Sequence, residues 1–299
     1  MTREKWSAGS GRRGRDTDNK TPHQRRDSGR QRRSAGNAQG MSRSAPVEQV
    51  LKRLQSLADP ANVAGMARFG IRPKKVYGIA TPELKGIARR IGREHRLALD
   101  LWKTGIHEAR VLASLVADPV RFSEGQMERW VKDLDSWAIC DACCFNLFGQ
   151  TELAHTKALE WSTRSREFEK RAGFALMASL AFHDKKAPDS RMLEFLSCIE
   201  QESWDERNFV KKAVNWALRQ IGKRNRKLNR AALRSAKAIQ KLDSKAARWI
   251  AADALKELTS EAVQRRLLTT SFRKMGRRIH PAAESRSEKA GRSGVSRIR

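Results

Sequence analysis

An all-α fold of stacked antiparallel helical hairpins is predicted for this 299-residue chain by three observations. No stretch alternates apolar and polar residues in the manner of a strand, and β-branched and aromatic residues are sparse, with a single Tyr. Helix start and stop signals recur along the chain. A weak internal repeat of charged residues followed by small apolar ones returns at intervals of 31, 30, 41 and 36 residues, the period of stacked helical hairpins.

In chain order, helices are predicted near 46–57 and 60–69, then near 81–94. There Thr81-Pro82-Glu83 offers an N-cap, a proline at the first helical position and a first-turn acid. A helix near 105–117 is ended by Asp118-Pro119, because proline cannot continue it. Apolar spacing of three and four residues places further helices near 123–133, 136–148, 152–161, 166–182, 188–200, 205–222 and 229–239. Asp243-Ser244 opens the helix near 243–257, and Ser260-Glu261 opens that near 260–268.

The repeat runs through these helices. Its five copies are Ala109-Arg110-Val111-Leu112-Ala113, Cys140-Asp141-Ala142-Cys143-Cys144, Lys170-Arg171-Ala172-Gly173-Phe174, Lys211-Lys212-Ala213-Val214-Asn215 and Ala247-Arg248-Trp249-Ile250-Ala251. Small residues let helix backbones approach closely, and a stack of hairpins curves. Its concave face is predicted to be basic and to carry the polar residue that recurs at the start of each second helix.

Charge points to the partner. The chain has 62 Lys and Arg against 33 Asp and Glu, a formal net charge of +29. Residues 1–45 hold 12 basic and 4 acidic side chains, and residues 271–299 hold 9 and 2. The remaining 225 residues still carry 41 basic against 27 acidic, so the excess is not confined to the ends. A polyanion, nucleic acid before an anionic membrane surface, is the partner this implies. The segments 1–45 and 271–299 have too few apolar residues to offset the entropy of ordering. They are predicted to be disordered basic tails around a folded domain at 46–270. No run approaches the roughly 18–20 apolar residues of a membrane span, and the first ten residues lack a signal-peptide core. Four cysteines are too few and too clustered for a disulfide framework. A monomer in the cytoplasm, associated with the nucleoid and without a membrane partner, fits these features.

One copy of the repeat differs in sign. Asp141 occupies a slot that is basic in the other four, and a lone carboxylate among cations suits a positioned acid, base or electrostatic stabiliser. Trp137 lies four residues earlier, about 40° away around the helix, so indole and carboxylate share a face. Trp216 lies four residues beyond the repeat position Lys212. Cys140-x-x-Cys143-Cys144 superficially matches half a zinc site, but no second Cys or His pair stands at ligand spacing. The three thiols share one helix face and are read as core, with no metal and no cofactor.

The runs Trp137-Ala138-Ile139-Cys140-Asp141, Lys170-Arg171-Ala172 and Phe209-Val210-Lys211-Lys212-Ala213-Val214-Asn215-Trp216-Ala217-Leu218-Arg219 resemble the bacterial DNA alkylation repair glycosylases built from HEAT-like repeats, the AlkD family. Met66-Ala67-Arg68-Phe69 and Gly78-Ile79-Ala80-Thr81-Pro82-Glu83-Leu84 resemble that family's first helices. The likeness covers roughly 46–268 and is most specific in the Lys-Ala-x-x-Trp-x-Leu-Arg segment. It departs at Ser136 and Ala138, where the motif tryptophan of other members has aromatic and acidic neighbours.

The resemblance implies a HEAT-like α-solenoid whose concave face holds duplex DNA, with two tryptophans, an aspartate and an arginine at the lesion. Those are Trp137, Trp216, Asp141 and Arg171, with Arg171 on a backbone phosphate beside a lesion that stays largely stacked. Arg68, Lys170, Lys211, Lys212, Arg219 and Arg248 are the expected DNA contacts. The implied activity is hydrolysis of the N-glycosidic bond of cationic N3- or N7-alkylated purines in double-stranded DNA. The alternatives are a non-catalytic HEAT-repeat module that binds DNA or structured nucleic acid, and a scaffold for acidic proteins.

Overall fold

The apolar periodicity becomes helix throughout the part of the chain that the computed structural model describes, residues 46–269. The helices are α1 (Val47–Gln55), α2 (Pro60–Arg68), α3 (Thr81–Ile91), α4 (His95–Lys103), α5 (His107–Val116), α6 (Glu124–Lys132) and α7 (Trp137–Asn146). After a 3-10 turn at Phe148–Gln150 come α8 (Ala154–Ser162), α9 (Glu167–His183), α10 (Asp189–Glu202), α11 (Asn208–Gly222), α12 (Arg226–Ile239) and α13 (Lys245–Leu258). Residues 261–269 are also helical. There is no strand among the described residues, and no described helix is long and apolar enough to cross a membrane. The expected tails at 1–45 and 271–299 lie outside the described residues.

Helix α4 is the element the periodicity does not announce. The helix expected at 81–94 stops at Ile91, because Gly92 adopts φ +77° and turns the chain, a conformation that favours glycine. A second short helix then buries His95, Leu97, Ala98, Leu101 and Trp102. Nine residues give the pattern too few turns to stand out from the flanking loops. The cap of α3 also differs from expectation. Ala80 is the N-cap and gives no side-chain hydrogen bond, while Thr81 is already helical. At α13 the expected cap holds, with Ser244 accepting from the Ala247 amide.

From α3 onward the helices form two layers. Helices α3, α5, α7, α9, α11 and α13 pack each on the next, and α4, α8, α10 and α12 pack against them. The contact of α8 with α9 shows why the repeat is rich in small residues. A side chain at Gly173 would strike the backbone of Ser162 and come within 2.8 Å of the Trp161 carbonyl carbon. Large rings fill the space between layers where small residues do not close it. Trp102 of α4 and Trp130 of α6 stack at 3.9 Å, and the fully buried Trp161 of α8 meets Phe148 edge-on at 5.6 Å.

The repeat position keeps a constant place. Arg110, Asp141, Arg171, Lys212 and Arg248 are each the fourth or fifth residue of α5, α7, α9, α11 and α13. A row of polar residues one turn into each helix of a single layer is therefore built by the fold.

The loop from α2 to α3 is fixed from beneath by a buried carboxylate. Glu108 of α5 accepts from the amides of Tyr77 at 2.9 Å, Gly78 at 2.6 Å and Ile79 at 3.3 Å. Gly78 sits at φ +80°, with the Asp59 carbonyl and Val63 where a side chain would be. This clamp sets the position of α2 and the residues after it over the start of α7.

Candidate functional site

Asp141 projects from the second turn of α7 and is gripped by Arg171 of α9. The guanidinium Nε donates to Oδ1 at 3.0 Å and Nη2 donates to Oδ2 at 2.8 Å. Its Nη1 donates to the Phe209 carbonyl at 2.6 Å, so one arginine ties α7, α9 and the start of α11 together. A two-pronged arginine–carboxylate pair fixes orientation as well as charge. The Arg171 side chain is 6% exposed and the Asp141 side chain 21%. Burial pushes the Asp141 carboxyl above its ordinary range, and the Arg171 guanidinium opposes that rise.

Two aromatic groups flank this carboxylate along α7. Trp137, one turn before it, is half-buried and donates its indole N–H to the Phe69 carbonyl at 2.9 Å, at the end of α2. Phe145, one turn after it, stacks face to face on Trp216 of α11, with centroids 4.9 Å apart and planes within 5°. His183, the last residue of α9, stands edge-on to Phe145 at 5.4 Å. Trp137, Asp141 and Phe145 thus follow one another at four-residue steps along α7, with Arg171 bound to the second and Trp216 stacked on the third.

The structure revises the part expected of Arg171. Three of its donors are engaged inside the protein and its side chain is nearly inaccessible. Its guanidinium is turned inward, to Asp141 and the Phe209 carbonyl.

The expected DNA contacts divide by exposure. Arg68 and Lys212 are exposed. Lys211 is half-buried, its ammonium 5.8 Å over the Trp249 ring, and Arg248 is exposed beside Asp243 at 3.0 Å. Arg219 is half-buried and paired with Glu257 at 2.6 Å and Asp253 at 3.3 Å. Lys170 is the correction. It is 6% exposed, bonded to Glu202 at 2.6 Å and near Asp205 at 3.4 Å, with Trp204 beside it. A buried, doubly compensated ammonium offers nothing to a phosphate. Being next to Arg171 in sequence put it about 100° around the helix, toward α10.

Sequence reasoning missed Phe145, the Phe69 carbonyl and the Phe209 carbonyl. Phe145 carried a signal, since it follows Asp141 by four residues on the same face. The two carbonyls carried none, because a backbone group is recruited by tertiary position and not by residue type. The three clustered cysteines are core, as expected. Cys140, Cys143 and Cys144 are fully buried, and two of the thiols point at the Phe168 and Ala172 carbonyls at 3.7 and 3.5 Å. No group of three metal-ligating side chains occurs among the described residues.

Comparison with known proteins gives one family and one solved fold. The model of the family described as DNA alkylation repair enzyme matches residues 50–258. A solved structure is similar with a TM-score of 0.64 and 22% identity, covering 74% of this chain and 95% of the other. That structure is described as a new family of proteins related to the HEAT-like repeat DNA glycosylases with affinity for branched DNA structures. No curated protein matches the chain. The stacked helical hairpins are thus a HEAT-like fold.

Proposed function

The chain belongs to the DNA alkylation repair enzyme family, and from that premise we propose that it is a monofunctional DNA glycosylase of cationic N3- or N7-alkylated purines. The observation that carries this reading is the oriented Asp141 carboxylate, set between Trp137 and the Phe145–Trp216 stack.

The chemistry asks little of a general acid. An alkylated purine already bears positive charge, so the N-glycosidic bond breaks with both electrons passing to the base nitrogen, which leaves neutral. Positive charge then develops on the deoxyribose, as in other glycoside cleavages. Water adds at the anomeric carbon and loses its proton.

Each Asp141 oxygen accepts one Arg171 hydrogen bond and retains acceptor capacity, available to stabilise the sugar cation or to align that water. Arg171 holds the carboxylate in one rotamer and opposes the rise in its pKa that burial causes. The half-buried indoles of Trp137 and Trp216 suit a cationic base, at roughly 0.5–2 kcal/mol per aromatic face. Arg68, Lys212 and Arg248 are exposed on the same structure and fit phosphate contacts that set register without reading sequence.

A second reading has its own support. The Arg171 charge offsets that of Asp141 at close range, and the Trp137 indole N–H is held by Phe69. A site so satisfied also suits a non-catalytic module that binds DNA or structured nucleic acid. Incubation with duplex DNA carrying N7-methylguanine separates the two. Abasic sites formed in proportion to protein are expected for the glycosylase; tight binding with no base release would establish the module instead.

A further inference from the structure

We propose that the outward face of α12 is a second binding surface for a nucleic-acid duplex, separate from the Asp141 face. The face consists of Arg226, Lys227, Arg230, Arg234, Lys237 and, just past the helix, Lys241, all exposed. At 100° per residue these six lie within about 100° of arc, along roughly 22 Å of helix axis. The buried residues of α12, from Leu228 to Ile239, centre on the opposite side. The stripe therefore points directly away from the core.

Three features separate this stripe from an ordinary solvated surface. No carboxylate among the described residues is within ion-pair distance of any of the six, and α12 contains no acidic residue. The adjacent outer helix α10 has the opposite balance, with Asp189, Glu194, Glu200 and Glu202 against Arg191. Basic charge is thus concentrated on one helix of the layer and is not spread for solubility. In addition, α12 packs its apolar side on α10, α11 and α13, while the exposed Lys212 and half-buried Trp216 lie opposite the buried side of α11. The stripe rises from the layer of α8, α10 and α12, and Asp141 from the layer of α7, α9 and α11, so the two are taken as separate surfaces.

A duplex phosphate backbone is the occupant that fits. Its charge density, one phosphate per roughly 1.7 Å of axis over both strands, offers about a dozen phosphates along the stripe. A lipid surface fits worse, because a helix lying in a bilayer interface inserts an apolar face, and that face of α12 is buried in the core. The inference concerns binding alone and does not depend on the glycosylase reading.

The test uses the full chain with Arg230, Arg234 and Lys237 changed to Glu, and a milder version with all three changed to Gln. Two short duplexes with donor and acceptor dyes report whether one molecule holds both. The wild type is expected to bridge them, the Glu variant to hold one, and the Gln variant to bridge weakly. Unchanged melting temperatures are expected for both variants. The slope of log affinity against log salt for the second duplex should fall by about 2–3 in the Gln variant, at roughly 0.9 for each phosphate that is no longer neutralised. Bridging retained by the Glu variant, or absent from the wild type, would overturn the proposal. So would loss of binding to phosphatidylserine vesicles with bridging intact, which would assign the stripe to a membrane. Absence of base release by the wild type would sink the glycosylase reading and leave this one standing.

Discussion

Replacing Asp141 with Asn separates the stability that the site supplies from the chemistry it performs. Asp141 accepts two charge-assisted hydrogen bonds from Arg171, at 3.0 and 2.8 Å. Asparagine can keep one through its carbonyl, but its amide then faces a guanidinium N–H, donor against donor. Arg171 remains buried with its charge uncompensated. Removing one partner of a fully buried pair costs about 3–5 kcal/mol. The partial exposure of Asp141 lowers this to about 2–4 kcal/mol. For a folded region of this size each kcal/mol moves the melting temperature by about 2–4 °C, so a drop of roughly 5–15 °C is expected. Base release from N7-methylguanine duplex, measured in single turnover below that temperature, should fall at least about 100-fold. DNA affinity should hold or rise slightly, since a negative charge facing a polyanion is gone. Changing Arg171 to Gln in the same chain restores neutral hydrogen bonding across the pair, so the double variant should recover much of the melting temperature and none of the base release. A single variant with wild-type base release would remove Asp141 from the chemistry. An unchanged melting temperature would refute the account of the ion pair.

Two further outcomes follow from burial and charge. Trp216 is half-buried and stacked on Phe145, so Trp216→Ala should cost only about 1–2 kcal/mol while base release falls and Trp216→Phe recovers part of it. The fully buried Trp161 is the control, where the same change should cost roughly 3–5 kcal/mol; denaturant melts and base-release rates on both variants decide. Glu128 is held down to about 2: burial opposes this, but hydrogen bonds from Trp161, Lys157 and Arg164 outweigh it. Its contribution is present above the ordinary 4.5 and lost as pH falls toward 2. At 1.36 kcal/mol per pH unit that is up to about 3 kcal/mol. Partial screening reduces it to about 1–2 kcal/mol. Glu128→Gln should therefore melt earlier than the wild type at pH 7 and converge with it near pH 2; parallel curves across that range would refute the assignment.

What the amino-acid sequence determined by itself is periodic. Helical class, the small residues that permit close crossings, and a charged residue one turn into each inner helix all follow from spacing. Spacing survives any tertiary arrangement of the same helices. Trp137 and Asp141 could be placed together because four residues along a helix is a fixed rotation, and the clustered cysteines could be read as core for the same reason. Contacts across the stack were decided only in three dimensions. Nothing local to Arg171 says that its guanidinium turns inward to Asp141 and the Phe209 carbonyl. Nothing local to Lys170, one residue away, says that it meets Glu202 on the far side. Each partner lies 30 or more residues distant, and the desolvation that favours pairing arises only once the layers close. The short helix α4 was hidden for a related reason. Its start depends on the turn at Gly92, and its identity rests on burial of Leu97, Leu101 and Trp102 against neighbours. Rotation about one helix axis is a property of the chain; which neighbour lies across the gap is a property of the packed fold.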